Sequence, residues 1–596
     1  MNDTITFQIV DIISDDIPND YNIKSFLVTI YGIDQNNDRV VLHVKKYNPY
    51  FYIKIPDQWD GADVGKFIKD VCDLKVTDDH TQDKIFSDIV NYEIKICNEF
   101  YGLQWDIKNN KKKLYNFVKL SFRTHDSMKK FISATTKHYN RKVYQNLSGT
   151  AKERLDEWRM TPTCVDCNSN LYESSIHPII RFIHDTNIQP SGWIHVKTID
   201  EKTNLFPNTK HEYFTNVSDI TNLKKDDLSN YRIASFDIEC DSLHGDFPQA
   251  QKDFKKLSAD IFHSIQSILK NIPESRKNEF TNDLGKKISK LLKSGFTGIA
   301  LREGIWKHSD VNQIKIINDE IPASDEIYNA IIEEVRKTDI IENIKNLDIK
   351  TKEREATINL LQEIIKKECD KYLIIIQGDP IIQIGTVFYD YSSGDIYRHI
   401  LVIGNEDNLP DNEICDKIDG IHVVQCKNEK ELLLGWKNII KKMNPDFITG
   451  YNIFGFDFKY INDRAEILFP CNDRCNSPWW HGKGCKMKEF LNFGKIDMTQ
   501  FKAKDHKFKK CNIRKQQLSS SALGDNTLNY ITMDGRILFD IQKEVQKGHN
   551  LESYKLDNVA SHFMRGKLKS IKENVIIVSD TVIILSVILL SFPRMK

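Results

Sequence analysis

Hydrophobic and polar positions change period several times along this chain. Up to about residue 100 the apolar positions alternate or run together. FLVTIYGID, RVVLHVKK and YFYIKI read as strands, with turn residues such as DQNND between them. LYNFVKLSFRT, which begins at Leu114, continues the pattern, whereas MKKFISATTKHY and AKERLDEWRM read as short helices. IIRFIHDTN, GWIHVKT and YRIASFDIE form a second strand-rich stretch. Between 251 and about 377 the spacing becomes helical. IYNAIIEEVRK, IIENIKNLDI and ATINLLQEIIKKE set apolar side chains at helical intervals, with lysine and glutamate between them. This segment reads as a solvated helical insert without chemistry of its own. YLIIIQ, IIQIGTVFYD and YRHILVIG return to strand as sheet neighbours. KELLLGWKNIIKKMNP is a helix stopped by Pro445, and DFITGYN is the next strand. Strand, strand, strand, helix, strand predicts an α/β sheet.

The chain has 596 residues, enough for several domains. Its 40% hydrophobic and 10% aromatic content excludes a disordered polymer. Lysine plus arginine number 84 and aspartate plus glutamate also number 84, so global charge neither indicates nucleic acid nor excludes a local basic groove. The twelve cysteines form no regular framework, and MNDTITFQIVDII has no basic-then-apolar leader. A reducing, intracellular compartment is therefore expected. Loops of the form GxxxxGK[ST] or GxGxxG are absent, which argues against a P-loop ATPase or a Rossmann enzyme.

Candidate chemistry begins at FDIECDS. Asp237 and Glu239 lie two apart in a predicted strand and so face one side. Like charges so close repel unless a cation separates them, and an all-oxygen pair suits Mg²⁺ or Mn²⁺. Solvated acids or a salt bridge remain alternative readings of the pair alone. The second element is GYNIFGFDFKYI. Asp457 sits between Phe456 and Phe458, and it reads either as an acid at a helix N-terminus or as a third carboxylate meeting the first two. Asn452 is placed to hydrogen-bond within the site or to a nucleotide, and Phe456 reads as core. Three carboxylates on a small α/β sheet suggest two-metal phosphodiester hydrolysis. One ion activates water and the other stabilises the leaving 3′ oxygen, and a fourth carboxylate is wanted to hold the second ion.

SFDIECDS and GYNIFGFDFKYI resemble the first and second exonuclease motifs of the B-family DNA polymerases. GDPIIQIG, LYESSIHPIIRFIHDTNI, SSSALGDNTLNYITMDGRILFDI and NLESYKLDNVASHFM are similar to further blocks of the delta-like and large-DNA-virus members. The resemblance is scattered over residues 30–563, with the insert outside it. It implies a strand-rich α+β N-terminal domain over 1–230. An RNase H-like 3′→5′ exonuclease domain over 231–563 would contain the insert at 251–377, and an atypical apolar tail would follow over 564–596. It implies that Asp237, Glu239 and Asp457 bind the catalytic Mg²⁺ or Mn²⁺ ions. Asn452 and Phe456 would meet a single-stranded 3′ end, and Leu551, Tyr554 and Leu556 would be packing residues of the helix after GRILFD. The implied partners are DNA, as a 3′ end and primer–template, and the implied location is a site of DNA replication.

The third exonuclease motif of that family, Tyr-x-x-x-Asp, does not follow SHFM, and no palm segment of the SLYPS or GDTDS type occurs. Tyr530 and Asp534 have the spacing but precede the helix that should come before the motif. This chain alone is therefore expected not to polymerise DNA, and a separate chain carrying the palm is an expected partner. A catalytically inactive DNA-binding or assembly fragment of a split polymerase is the alternative. The tail VIIVSDTVIILSVILLSF reads as a non-homologous end, a buried element or a membrane span interrupted by Asp580. Lys504, Lys507, Lys509 and Lys510 in FKAKDHKFKKCNIRK could contact phosphate or simply be solvated. Cys164 and Cys167, with Cys471, Cys475, His481 and Cys485, have spacings too irregular to favour zinc.

Overall fold

The structure, a computed structural model, describes residues 4–18, 24–72, 88–98, 105–106, 108–135, 148–159, 171–197, 199–201, 211–242, 247–316, 325–404, 417–469, 486–495, 513–520 and 524–564. The four candidate lysines, the six candidate zinc ligands and the apolar tail lie outside these residues.

The N-terminal third builds two sheets. One has seven strands, in the order Asp200–Glu201, His211–Asn216, Arg39–Lys45, Lys24–Asp34, Ile5–Pro18, Trp193–Val196, Ile220–Leu223. The other has four antiparallel strands, in the order Ile89–Cys97, Tyr115–Phe122, Tyr50–Lys54, Leu171–Tyr172. Helices Gly61–Cys72, His125–Thr135 and Gly149–Arg159 cover one face of the smaller sheet around Phe51, Phe67, Phe131 and Trp158. IIRFIHDTN, expected as a strand, is instead the helix Pro178–Thr186. Pro178 occupies its first turn, the His177 side chain accepts the Ile179 N–H, and Asn187 closes it in the left-handed region at φ 52°. Phe182 and Arg181 are buried while Ile180 is exposed, so the apolar run was one helical stripe.

The second half centres on a six-stranded sheet. Its order is His422–Cys426, Ile396–Ile403, Ile381–Asp390, Arg232–Cys240, Phe447–Gly450, Ile537–Asp540. The strand Arg232–Cys240 pairs antiparallel with Ile381–Asp390 and parallel with Phe447–Gly450. Ile396–Ile403 is antiparallel to Ile381–Asp390, and Ile537–Asp540 is parallel to Phe447–Gly450. A three-strand antiparallel meander flanked by parallel strands is the RNase H-like arrangement, here with an added edge strand. Helix Glu429–Met443 starts at Asn428, whose side chain accepts the Glu431 N–H, and ends at Asn444 with φ 49°. It buries Leu432, Leu433 and Trp436 on the sheet, and Trp436 Nε1 donates to Thr386 Oγ1 at 3.1 Å. Phe236 lies between Trp436 and Phe458, at ring separations of 4.9 and 5.4 Å. Burial of one such ring contributes about 2–3 kcal/mol.

Among the described residues, six α-helices between Lys255 and Asp370 form the insert around its own core, which includes Ile261, Ile265, Leu291, Ile331 and Leu361. YLIIIQ, expected as a sheet strand, closes this core instead. Ile374 and Ile376 are buried in it, Ile375 is exposed, and the only pairing described is the bridge Ile316↔Ile376. Strand-like alternation arises here because an extended segment lies across helices.

The seven-stranded and six-stranded sheet units meet over a buried ionic cluster. Asp446 accepts Arg39 Nη2 and the Arg232 N–H, each at 2.9 Å, and the Lys495 ammonium. Arg536 bonds beside it to Asn444 Oδ1 at 3.0 Å. Flanking cations hold the Asp446 carboxyl down at about 2 against its burial, while burial lowers Lys495 to about 8. Among the described residues no helix is long and apolar enough to cross a membrane.

Candidate active site

Two polypeptide features place the acids. The first is the central strand. Phe236 and Ile238 point into the core, so Asp237 and Glu239 emerge on the opposite face, where both line a cavity of ≈660 Å³. The second is the turn that joins Phe447–Gly450 to the helix Asp457–Leu468. Asn452 takes the left-handed conformation at φ 60°, which asparagine tolerates better than most residues. Its carbonyl accepts the N–H of Gly455 at 2.9 Å and of Phe456 at 3.0 Å. A Cβ at Gly455 would lie 2.3 Å from Asn452 Oδ1, so any larger residue there would have to displace the Asn452 side chain. The chain thus turns directly into the helix and delivers Asp457 at its first position.

A residue that the sequence reading did not single out holds this turn. The Asp540 carboxylate accepts the N–H of Asn452 and of Phe454, each at 3.0 Å, and the N–H of Gln542 at 2.9 Å. It is buried at the end of the neighbouring parallel strand. The signal was present in ILFDI, an acid closing an apolar strand, but resembled an ordinary helix N-cap. From the other side the Phe454 carbonyl accepts the Asn529 N–H at 2.8 Å.

Asp457 is 2% exposed, and its Oδ1 has no hydrogen-bond partner among the described residues. Burial first, and then the charge of Asp237, push its carboxyl well above the usual carboxylate range. Glu239 is half-buried and is also raised by desolvation. An orphaned buried oxygen beside like charge is the environment that a divalent cation relieves, and carboxylate oxygens are the donors Mg²⁺ and Mn²⁺ take. The three acids line one cavity but are not drawn into a tight cage. Among the described residues, the trio whose ligand atoms all lie within 4.8 Å of one another is Asp34, Asp38 and His211, elsewhere. Asp34 and Asp38 of that trio flank a hairpin turn, in which Asp34 Oδ1 accepts the N–H of Asn36 and of Asp38, and His211 opens the neighbouring strand.

Asn452 and Phe456 line the same cavity. So do Phe247, Tyr554 and Lys555, which the sequence reading did not assign to it. Phe247 is 74% exposed, and its ring meets Phe456 edge-on at 5.6 Å. Leu551, Tyr554 and Leu556 pack with Ile541, Val545 and Val559. They do not belong to the helix after GRILFD, which is Ile541–Gly548. Leu551 and Tyr554 fall in the irregular segment beyond it, and Leu556 opens the next helix, Leu556–Met564. The Tyr554 carbonyl accepts Tyr451 Oη at 2.6 Å, which ties that segment to the cavity wall. Tyr530 packs on Phe454, and neither it nor Asp534 lines the cavity.

The family model for the exonuclease domain of DNA polymerase family B matches residues 169–283 and 363–559, just over half of the chain. A DNA polymerase of Pyramimonas orientalis virus is 29% identical over 585 residues, covering 95% of this chain and 42% of that protein. A DNA polymerase of Phaeocystis pouchetii virus is 26% identical over 609 residues, covering 92% of this chain and 53% of that protein. The DNA polymerase delta catalytic subunit of Dictyostelium discoideum is 32% identical over 200 residues, 34% of this chain and 15% of that protein. The chain thus spans about half the length, or less, of the curated relatives it matches. Among solved structures, a family B DNA polymerase from Pyrobaculum calidifontis aligns with 98% of this chain and 43% of its own, at 13% identity and a TM-score of 0.43. With the RNase H-like sheet and its acidic cavity goes membership: the chain belongs to DNA polymerase family B and carries that family's exonuclease domain.

Proposed function

We propose that the acidic cavity is a 3′→5′ exonuclease site that removes the terminal nucleotide of a DNA strand, serving proofreading during replication. The observation that carries this reading is the buried, partnerless Asp457 Oδ1 beside Asp237 and Glu239, in a cavity open to solvent. These three carboxylates would hold Mg²⁺ or Mn²⁺. When bound, such ions acidify water and neutralise charge developing on the phosphate and the leaving 3′ oxygen. The protein's own contribution is placement. Asn452 offers its amide toward the terminal nucleotide. Phe247 and Phe456 present ring faces and edges on which an unpaired base stacks, a sequence-tolerant contact. Lys555 brings an exposed ammonium to the cavity, suited to a backbone phosphate.

The chain would act within an intracellular replication assembly on a single-stranded 3′ end or a primer–template. Nucleotide addition would need palm acids that are not among residues 1–596. Lys504, Lys507, Lys509 and Lys510 would add phosphate contacts.

One observation favours a second reading, a DNA-binding or assembly module with little turnover. A fourth carboxylate near the site, the buried Asp540, has its oxygens taken by three backbone N–H groups and is not available to hold a second ion. The test is a 3′ single-stranded oligonucleotide labelled at its 5′ end and incubated with Mg²⁺ or Mn²⁺. Slow shortening from the 3′ end, abolished by Asp237→Ala, is expected. Tight binding of the same strand with no shortening would overturn catalysis and leave the second reading.

A further inference from the structure

The helical insert leaves the sheet between its first two strands, and both sides of its neck are fastened to the helix that begins with Asp457. On that helix Asp457, Tyr460 and Arg464 fall at i, i+3 and i+7 and share one face. Arg464 Nη1 donates to the Ala250 carbonyl at 2.9 Å, on the outgoing side of the neck. Its Nε and Nη2 grip both oxygens of the buried Glu429, at 2.8 and 2.6 Å, and Glu429 Oε1 accepts the Ile381 N–H on the returning side. Tyr460 Oη donates to the Asp379 carbonyl at 2.9 Å.

The two sides are also bonded to each other. The Asp379 N–H donates to the Gln249 carbonyl at 2.8 Å, the Gln249 N–H donates back to Asp379 Oδ2 at 2.9 Å, and Lys252 pairs with Asp379 Oδ1. Asp379 itself is buried. At Gly378 a Cβ would lie 2.0 Å from the Ala250 carbonyl oxygen, so the two backbones touch without room for a side chain.

The clamped segment also leads into the cavity. Phe247 and Pro248 line it immediately before Gln249. The rings run in a chain, Phe247 to Phe456 at 5.6 Å and Phe456 to Tyr460 at 5.2 Å. Phe247 is largely exposed, so ring packing alone does not fix where it stands. Its position follows from the backbone anchored two and three residues later, with Pro248 limiting the freedom between.

We propose that Asp379 and Arg464 are positioning residues for the terminal nucleotide. Their clamp on the neck sets where Phe247 stands against Phe456, the aromatic pair on which its base stacks. This rests on the exonuclease reading above. It gives the neck a role that holding the insert in place does not require: loosening it should weaken capture of the 3′ end through Phe247, without changing the chemistry at the acids.

The test uses the full chain and a single-stranded oligonucleotide with 2-aminopurine at its 3′ end, with Ca²⁺ replacing the active metal so that binding is read alone. Phe247→Ala should weaken binding about fivefold or more, the scale of one lost stacking contact. Asp379→Asn should weaken it about threefold or more, and the double variant should bind no worse than Phe247→Ala alone, since both act through one ring. The Asp379→Asn single-turnover rate at saturating DNA in Mn²⁺ should stay within about twofold of the parent, and hydrogen exchange should quicken at the Gln249 amide. If Asp379→Asn does not fold, Lys252→Gln, which removes the partly exposed arm of the clamp, enters the same cycle with the same expectation. Independent, multiplicative losses would overturn the proposal, as would a slower saturated rate at unchanged affinity. A parent chain that fails to bind the 3′ end would overturn the exonuclease reading itself, whereas tight parental binding with multiplicative losses would overturn only the clamp.

Discussion

Asp540 holds Asn452 from an adjacent strand, through an oxygen that accepts the Asn452 backbone N–H at 3.0 Å. Its other oxygen accepts the Phe454 N–H, so one side chain fixes the turn that delivers Asp457. Asp540→Ala should destabilise the protein by about 1–3 kcal/mol, because buried N–H groups are left without acceptors. It should also weaken Mn²⁺ binding although Asp540 holds no ion. Urea unfolding and a Mn²⁺ titration check both effects. Loss of stability with unchanged metal affinity would separate the turn from the site.

Asp457 gives the opposite sign of stability change. Its folded carboxyl is raised well above its ordinary value of 3.8. The folded state therefore binds the proton more tightly than the unfolded state, and this group's contribution is most favourable at low pH and worsens as pH rises above about 3.8. In EDTA at neutral pH, Asp457→Asn should be at least as stable as the parent. With Mn²⁺ at about a hundred times its dissociation constant, the parent should gain about 2.7 kcal/mol and the variant much less. Thermal melts with and without metal measure the difference. A variant that is less stable in EDTA would show that the buried carboxylate is not strained.

The Asp446 cluster should set acid stability. The Asp446 carboxyl lies at about 2 when folded, below its ordinary 3.8. Its stabilising contribution is therefore complete above pH of about 4 and is lost as pH falls toward about 2. Asp446→Asn leaves Arg39 and Lys495 without their shared acceptor, at a cost of about 3–5 kcal/mol at neutral pH. Urea midpoints of parent and variant across pH should converge in that acid window, and a gap that stays constant would refute the assignment.

The insert should lose stability on its own. Ile265 is fully buried in a core drawn from residues 254–376. Ile265→Ala should cost about 2–5 kcal/mol. Faster hydrogen exchange should be confined to the insert helices, with the Arg232–Cys240 strand unchanged. Equal loosening of that strand would mean the two cores unfold as one.

Local pattern carried much of the fold. The helix 429–443 could be read from its apolar stripe and Pro445, and the insert from its change of period. IIRFIHDTN and YLIIIQ misled because short apolar runs do not distinguish a strand from a helix or from an extended cover over helices. Only context decided: Pro178 and His177 for one, the insert core for the other. In the cavity, two acids at i and i+2 were legible because strand geometry alone puts them together. Phe247 and Lys555, which reach the cavity from separate parts of the chain, and Asp540, which holds the turn behind it, were not. Asp379 and Arg464 looked like ordinary polar residues of GDP and DRAEIL. Their meaning lies in backbone partners far away in sequence.

The placement of the insert also bears on how the chain assembles. Cys240 pairs with Ile381 across the whole length of the insert, so the sheet's central strand pair must close a very long loop. Closing it as flexible chain costs entropy that grows with the logarithm of its length. An insert that condenses first, on its own local helical contacts, brings Gln249 and Asp379 side by side and turns that closure into a short-range event. The neck would then be a nucleation point. In a pulse-labelling experiment the insert helices should gain amide protection before the strands they separate.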